Sequence, residues 1–141
     1  MKKLISLIAV FLLAAVSLPA QTAASQAGQA VLNKKNLVIK AWNTNAKGTR
    51  ILDHVTIFSP EGKKIEETEY DSMGKQKWRK RYEWGENGRM ARELVYNESN
   101  RLVNYKKFEY NQFGKKKVQY TYDPKGRLIG TKVFEYLTQD A

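Results

Sequence analysis

FSPEGKK (residues 58–64), YDSMGKQ (70–76), WGENGRM (84–90), YNESNRL (96–102), YNQFGKK (110–116) and YDPKGRL (122–128) are six versions of one phrase. The fifth residue of each is Gly62, Gly74, Gly88, Asn100, Gly114 or Gly126, at successive steps of 12, 14, 12, 14 and 12. A step of 14 back from Gly62 reaches Gly48 in NAKGT, and a step of 14 forward from Gly126 reaches Asp140 in a truncated copy. The period is therefore 26 residues, two units at a time, and a period of that kind sets the fold before any single element is read.

Turn chemistry explains the phrase. Ser59, Asp71, Gly85, Asn97, Asn111 and Asp123 open the turns, and most of these side chains initiate type I geometry. Pro60 and Pro124 follow, where a fixed φ helps. The fourth turn residue needs a left-handed backbone, so it is Gly and once Asn. A type I turn closed by such a residue is a common tight hairpin connection. Between the turns lie segments rich in Tyr, Val, Thr, Phe and Trp. Strands are expected at 37–44, 49–58, 63–70, 75–84, 89–96, 101–110, 115–122 and 127–137. The fold class is all-β, an antiparallel up-and-down meander of about eight strands made from 12/14-residue hairpin repeats.

Both steps are even, and side chains on a strand alternate faces with period two. Thirteen of the fifteen aromatic residues beyond residue 27 carry even numbers, Tyr105 and Phe113 being the exceptions. One aromatic face is therefore expected, with Tyr122 opposite Leu128, Tyr110 near Lys116 and Tyr120 covering Gly130. Glu69 with Lys77 and Glu109 with Lys117 would pair on the other face. The alternation of short and long strands adds a stagger of roughly one residue per strand, enough over eight strands for a shear of about eight. The polar belt His54, Glu66, Lys80, Arg92, Asn104, Lys106 and Lys132 on the even face argues against a dry barrel. The expectation is a strongly curved sheet or half-open barrel. Leu37, Ile39, Ile51, Val55 and Ile57 make the odd face apolar near the N-terminus, a surface fit for the C-terminal strand, a second sheet or another molecule.

Met1-Lys2-Lys3, the uncharged run LISLIAVFLLAAVSL at 4–18, Pro19-Ala20 and the tract QTAASQA together read as a secretory signal. Cleavage could follow Ala20, Ala24 or Ala27. The domain reading is a signal peptide at 1–27, a linker at 28–36 and one β-meander repeat domain at 37–141. Export to the periplasm or the extracellular space follows, with no membrane-spanning segment in the mature form. Without residues 1–27 the chain keeps 23 of its 25 basic residues against 14 acidic ones, a net charge of +9.

YTYDPKGRLIG at 120–130 resembles the YD repeat of RHS-type shell proteins, whose motif runs aromatic-x-aromatic-Asp-x-x-Gly-Arg-Leu. FEYNQFGKK keeps both aromatics and the Gly but loses the Leu, and VYNESNRL loses the Gly. The whole chain is similar to a family of small exported Bacteroidetes proteins classified as a domain of unknown function, with YD/RHS-like hairpin repeats. That resemblance implies an all-β exported protein and brings no catalytic or binding residues with it.

The chain has no Cys and one His, which excludes disulfides, thiolate chemistry and Cys-based zinc sites. A Ser–His–acid arrangement could use only His54, and neighbouring Asp53 should point to the opposite side of a strand. Glu66, Glu67 and Glu69 are candidates for paired-carboxylate chemistry, but Glu67 and Glu69 read as solvated partners of lysines. Asp71, Asn97, Asn111 and Asp123 read as turn caps rather than calcium ligands. No enzyme activity, cofactor or metal is expected.

Lys63, Lys75, Arg89, Arg101, Lys115 and Arg127 each follow a turn Gly or Asn, and the runs KWRKR at 77–81 and KKK at 115–117 sit beside aromatics. Such interleaving suits polyanions, although it also keeps exposed strands soluble and blunts their edges. The expected function is a non-catalytic binding module for a glycan, peptide or anionic polymer, with His54, Trp78, Lys80, Tyr82, Arg92, Lys106 and Lys132 as the binding set. An exported protein meets acidic glycans more often than nucleic acid, so nucleic acid is the unfavoured partner. The alternative is a structural or assembly protein that joins a partner through a sheet edge or the apolar N-terminal strands.

Overall fold

A computed structural model describes residues 30–139. The segment read as a signal peptide, 1–27, lies outside the described residues, and the following concerns the unit that begins at Leu32. Eight strands run β1 (Val38–Thr44), β2 (Arg50–Phe58), β3 (Lys64–Tyr70), β4 (Gln76–Trp84), β5 (Met90–Tyr96), β6 (Leu102–Tyr110), β7 (Lys116–Tyr122) and β8 (Leu128–Val133). They pair in chain order as one antiparallel sheet, each hydrogen-bonded only to its sequence neighbours. The expected strands are found, the last one ending earlier than 137. No helix among the described residues is long and apolar enough to cross a membrane.

The seven turns are built alike. In the β3–β4 turn, Gly74 N–H donates to Asp71 O at 3.0 Å and Asp71 N–H donates to Lys75 O at 2.8 Å. Asp71 Oδ1 accepts from the N–H groups of Met73 and Lys75, both at 2.9 Å. Asn45, Ser59, Asn97, Asn111 and Asp123 repeat this double acceptance. Gly85 has no side chain to do so, and Asn87 supplies an oxygen to Arg89 N–H instead. The closing residues have φ between 71° and 84° at the six glycines and 59° at Asn100.

Beyond each turn the register slips by one residue. Tyr70 faces Gln76 but Glu69 faces Trp78, so Lys77 is an inserted bulge residue. Ile65, Ala91, Val103, Lys117 and Ile129 play the same part, each three residues past the turn's left-handed residue, and Asp53 does so in the first hairpin. A bulge sets two residues against one and so reverses the alternation of faces. The expected pairs Tyr122–Leu128 and Tyr110–Lys116 precede their bulges and are found. The other expected pairs are displaced: Gly130 faces Thr121, Tyr120 faces Thr131, and Glu109 faces Val118. Lys77 still reaches Glu69 with its ammonium across the bulge.

The single even-numbered face is thus replaced by two mixed faces. Cross-strand partners share a face. Thr56, Glu67, Lys80, Val95 and Asn104 form one continuous row over β2–β6, and Tyr82, Glu93, Lys106, Thr121 and Gly130 another over β4–β8. These rows define face A. Face B carries Val55, Thr68, Arg79 and Tyr96 in one row and Glu83, Arg92, Lys107 and Tyr120 in another. Aromatics divide by strand: Trp78, Tyr82 and Phe108 of the long strands lie on face A, and Tyr96, Tyr120 and Tyr122 of the short strands on face B. Tyr105, the odd-numbered exception, faces Tyr122 and stacks on it, with ring centres 5.1 Å apart and planes 13° from parallel. The odd-numbered apolar residues near the N-terminus do not make one face either, because Ile39 lies opposite Thr56 while Ile57 lies opposite Val38.

The expected stagger is present. Thr56 and Lys80 stand at the same height across β3, 24 residues apart, two short of the period. Each 26-residue unit therefore slides two residues along the strands. The sheet is nevertheless neither closed nor strongly curled, and β1 and β8 are its two free edges. Curling into a barrel would turn one ionic face inward, and both faces carry charged rows whose desolvation would outweigh their pairing. For the same reason there is almost no core: among the described residues only Ser59, Thr68 and Tyr82 are buried.

Gly74→Ala tests the turn chemistry without steric interference, since no atom lies within 4 Å of where its Cβ would sit. The φ of 75° alone should then cost about 1–2 kcal/mol, read as a lower urea midpoint. Asn100→Gly should leave the midpoint unchanged or raise it, whereas Asn100→Ala should lower it.

Candidate functional site

Six of the seven residues expected to bind stand on face A. His54, Trp78, Lys80, Tyr82, Lys106 and Lys132 follow from the rows His54–Glu69–Trp78, Glu67–Lys80, Tyr82–Glu93–Lys106 and Phe108–Gln119–Lys132. Arg92 does not join them. It lies beyond the bulge at Ala91, on face B, where its guanidinium makes two hydrogen bonds to the Glu83 carboxylate, at 2.6 and 2.9 Å.

Glu67 is the acidic centre of face A. It accepts from the Tyr82 hydroxyl, lies 3.1 Å from the Lys64 ammonium and 3.5 Å from His54 Nε2. Lys64 also lies over the Tyr82 ring at 4.9 Å. Burial pushes the Glu67 pKa up, but the hydrogen bonds from Tyr82 and Lys64 and the nearby positive charge outweigh it and hold the group below 4.5. Burial, with the bond to Glu67, pushes the Tyr82 phenol well above its ordinary range. With Glu67 so engaged, Lys80 turns to the Trp78 ring, 4.7 Å from its centre, and the edge of His54 meets the same ring at 6.1 Å.

Further along the face the acids thin out. Lys106 has Glu93 at 2.8 Å. Lys116 lies over Phe108 at 4.1 Å, and the partner of Lys132 is the neutral Gln119. Asn104 Oδ1, in the same row as Lys80 and Val95, is buried with no hydrogen-bond partner. His54, Lys80, Lys106 and Lys132 are 26 residues apart, the same position in four successive units. They form a diagonal line of cationic or protonatable groups about 12 Å apart, from two inter-strand spacings and a two-residue slide.

Face B engages its carboxylates, while Lys107 lies over the Tyr122 ring. Glu66 takes Arg79 at 3.1 Å and Arg81 at 4.0 Å, Glu83 takes Arg92, and Glu109 accepts from Tyr120 at 2.9 Å. The ends of the sheet repeat a further device. Trp84 Nε1–H donates to Lys64 O, Tyr110 O–H to Met90 O and Tyr136 O–H to Lys116 O, at 2.7–2.8 Å. Lys63 covers Trp84 and Arg89 covers Tyr110, each pair lining a shallow hollow.

Ten aromatic rings have a Lys or Arg of the chain itself over them. Structures in general show about one energetically significant pair per 70–80 residues, so the ring faces here are largely occupied rather than free to stack on a ligand. The expected aromatic platform is in this respect a cationic one. Of the residues that join the site, Lys64, Glu67, Asn104 and Lys116 were not in the expected binding set; the 26-residue offset that links Lys80 to Lys106 was the available signal for the row, and the bulges hid the rest. Asp71 and Asp123 act as turn caps, with backbone N–H groups from Lys75 and Arg127 foremost in holding their carboxyls low. Among the described residues no three His, Asp or Glu side chains converge as a metal site requires.

No protein-family model matches the chain, and a search of curated proteins gives no match.

A carboxylate held below its unfolded pKa stabilises the fold above the unfolded value, and that contribution disappears as pH falls through the folded value. Glu67, Glu69, Asp71, Glu83 and Asp123 all shift downward. The thermal midpoint should therefore fall as pH drops below about 4.5, and Glu67→Gln should make that fall shallower. An equal slope in the variant would detach Glu67 from the acid transition.

Proposed function

We propose that the protein is an exported, non-catalytic binding module that holds a linear acidic glycan on face A, towards β6–β8. The observation that carries this reading is the line His54, Lys80, Lys106 and Lys132, one cationic or protonatable group per repeat on one face. A polymer with an anionic group at regular intervals matches a regular row of cations, whereas a compact small molecule would use one unit of it. Lys80 lies over the Trp78 ring, and the cross-strand partner of Lys132 is the neutral Gln119; neither ammonium is in an ion pair among the described residues, so their charge is available.

The signal-like N-terminal sequence and the sequence resemblance to small exported repeat proteins would put the chain in a periplasmic or extracellular setting, where such glycans are met. Neutral glycans fit less well because stacking on Trp78 would require Lys80 to leave the ring. Residues 101–139 carry nine basic and three acidic side chains, a net +6, which places the strongest attraction at the C-terminal end of the sheet.

A titration with a sulfated or uronic-acid polysaccharide, a neutral β-glucan and single-stranded DNA tests this reading. The acidic glycan should bind best, with affinity falling as salt rises. Lys80→Ala and Lys132→Ala should each weaken it about two- to fivefold, the scale of one exposed charge contact. Arg92→Ala, on the other face, should leave it unchanged. Unaltered affinity in both lysine variants, or an equal loss with Arg92→Ala, would remove the site from face A.

A further inference from the structure

We propose that the two free edges of the sheet fit each other: β8 of one copy receives β1 of a second copy, and the meander continues head to tail between molecules. The inference is independent of the glycan reading, since it concerns edges rather than face A.

Three observations converge. First, the exposed apolar residues collect at the edges. Within the strands the exposed large apolar residues are Val38, Ile39 and Trp42 on β1, Leu128, Ile129 and Val133 on β8, and otherwise only the bulge residue Val103. Edges are ordinarily blunted by proline, clustered charge or a covering element. Here β1 and β8 have one lysine each, no proline, and no covering element among the described residues.

Second, the edges have complementary phase. β1 spans 38–44, and β3, β5 and β7 repeat those bounds at 64–70, 90–96 and 116–122, successive shifts of 26. β8 starts 26 residues after β6, as a long-strand type. The strand that would follow β8 in the series is of the short type, which is what β1 is. A second β1 therefore supplies the next strand in the order, whereas pairing β1 with β1 or β8 with β8 would break the alternation of types.

Third, the register dictated by the repeat places compatible residues opposite each other. Arg79 faces Tyr96, Arg81 faces Leu94 and Glu83 faces Arg92 in the β4–β5 pair. Moving the β4 members forward by two periods and the β5 members back by two sets Thr131 against Thr44, Val133 against Trp42 and Glu135 against Lys40 of the second copy. The last position repeats in kind the Glu83–Arg92 ion pair. Glu135 lies just past β8, yet Phe134 N–H still donates to Lys117 O at 3.0 Å and Tyr136 O–H to Lys116 O at 2.7 Å, so the chain remains beside β7 there. Main-chain hydrogen bonds, a Thr–Thr pair, a Val–Trp contact and one ion pair are the usual components of cross-strand association. The contact is heterologous, so it propagates rather than closing a dimer.

The chain has no cysteine, so Trp42→Cys and Val133→Cys can be made singly and mixed under mild oxidation. The expected product is the mixed disulfide, in excess over either symmetric one. Symmetric dimers alone, or no cross-link, would overturn the proposal. Sedimentation of the purified protein should show mass rising with concentration, Lys40→Glu and Glu135→Lys should each lower association severalfold, and the double swap should restore it. A mass independent of concentration, or a double swap as weak as the single ones, would also overturn it.

Discussion

The bulge three residues past the left-handed residue in six of the seven turns is the constraint on which the rest of the structure depends. A type I turn closed by a left-handed residue fixes where a hairpin begins, but the inserted residue fixes which side chains then meet. Without Ala91 in the bulge, Arg92 would stand with Lys80 and Lys106 on one cationic aromatic face, away from Glu83. With it, Arg92 crosses to Glu83 and each face receives both signs. Six such insertions at the same offset from the turn keep the two faces consistent from β3 to β8, so the repeat is preserved even though parity is not.

Mixed faces allow a single layer to exist without a core. Domains ordinarily stack two layers to bury an apolar surface, and this sheet has Tyr82 as its one buried aromatic. Its cohesion is distributed instead over side-chain pairs: ring over ring at Tyr105–Tyr122, cation over ring at ten places, and lysine or arginine against the carboxylates of Glu66, Glu67, Glu69, Glu83 and Glu93. Each such contact at an exposed site contributes about 0.5–1 kcal/mol, comparable to the typical cross-strand pair. No single one dominates. The carbonyls of Lys64, Met90 and Lys116 show the same economy, each satisfied by an indole or phenol at or just past the end of the following strand.

The strand bounds and topology were legible because both depend on short-range chemistry. Asp71, Asn97 and Gly62 announce their turns by side-chain capping and by φ, which a sequence displays directly. The face of a residue depends on an integer count between turns, and one inserted residue changes it. Lys77 and Gln76 look alike as strand residues, and nothing in their side chains says which of them is to be skipped. Tyr105 did carry a warning: it broke the parity of the other aromatics, and its stacking on Tyr122 is what a bulge between them produces. The line from His54 to Lys132 was legible as membership of one face and is visible as a repeat offset. The engagement of Lys106 by Glu93, and of Glu67 by three partners at once, required the register.

A linear repeat has a consequence that a closed fold lacks. The same 26-residue step sets the spacing of cations along face A and the phase of the strands at the edges. If β1 of a second copy follows β8, the next unit brings its own His54 and Lys80 onto the continuing diagonal, two strands further on. A polymer lying along that line would then meet more cations without any new contact being designed, and its binding would strengthen through effective concentration rather than through a better single site. Modest individual contacts on a solvated sheet are well suited to this arrangement. On that reading their number, set by the repeat, would determine the strength of attachment, and a barrel would have fixed that number at closure.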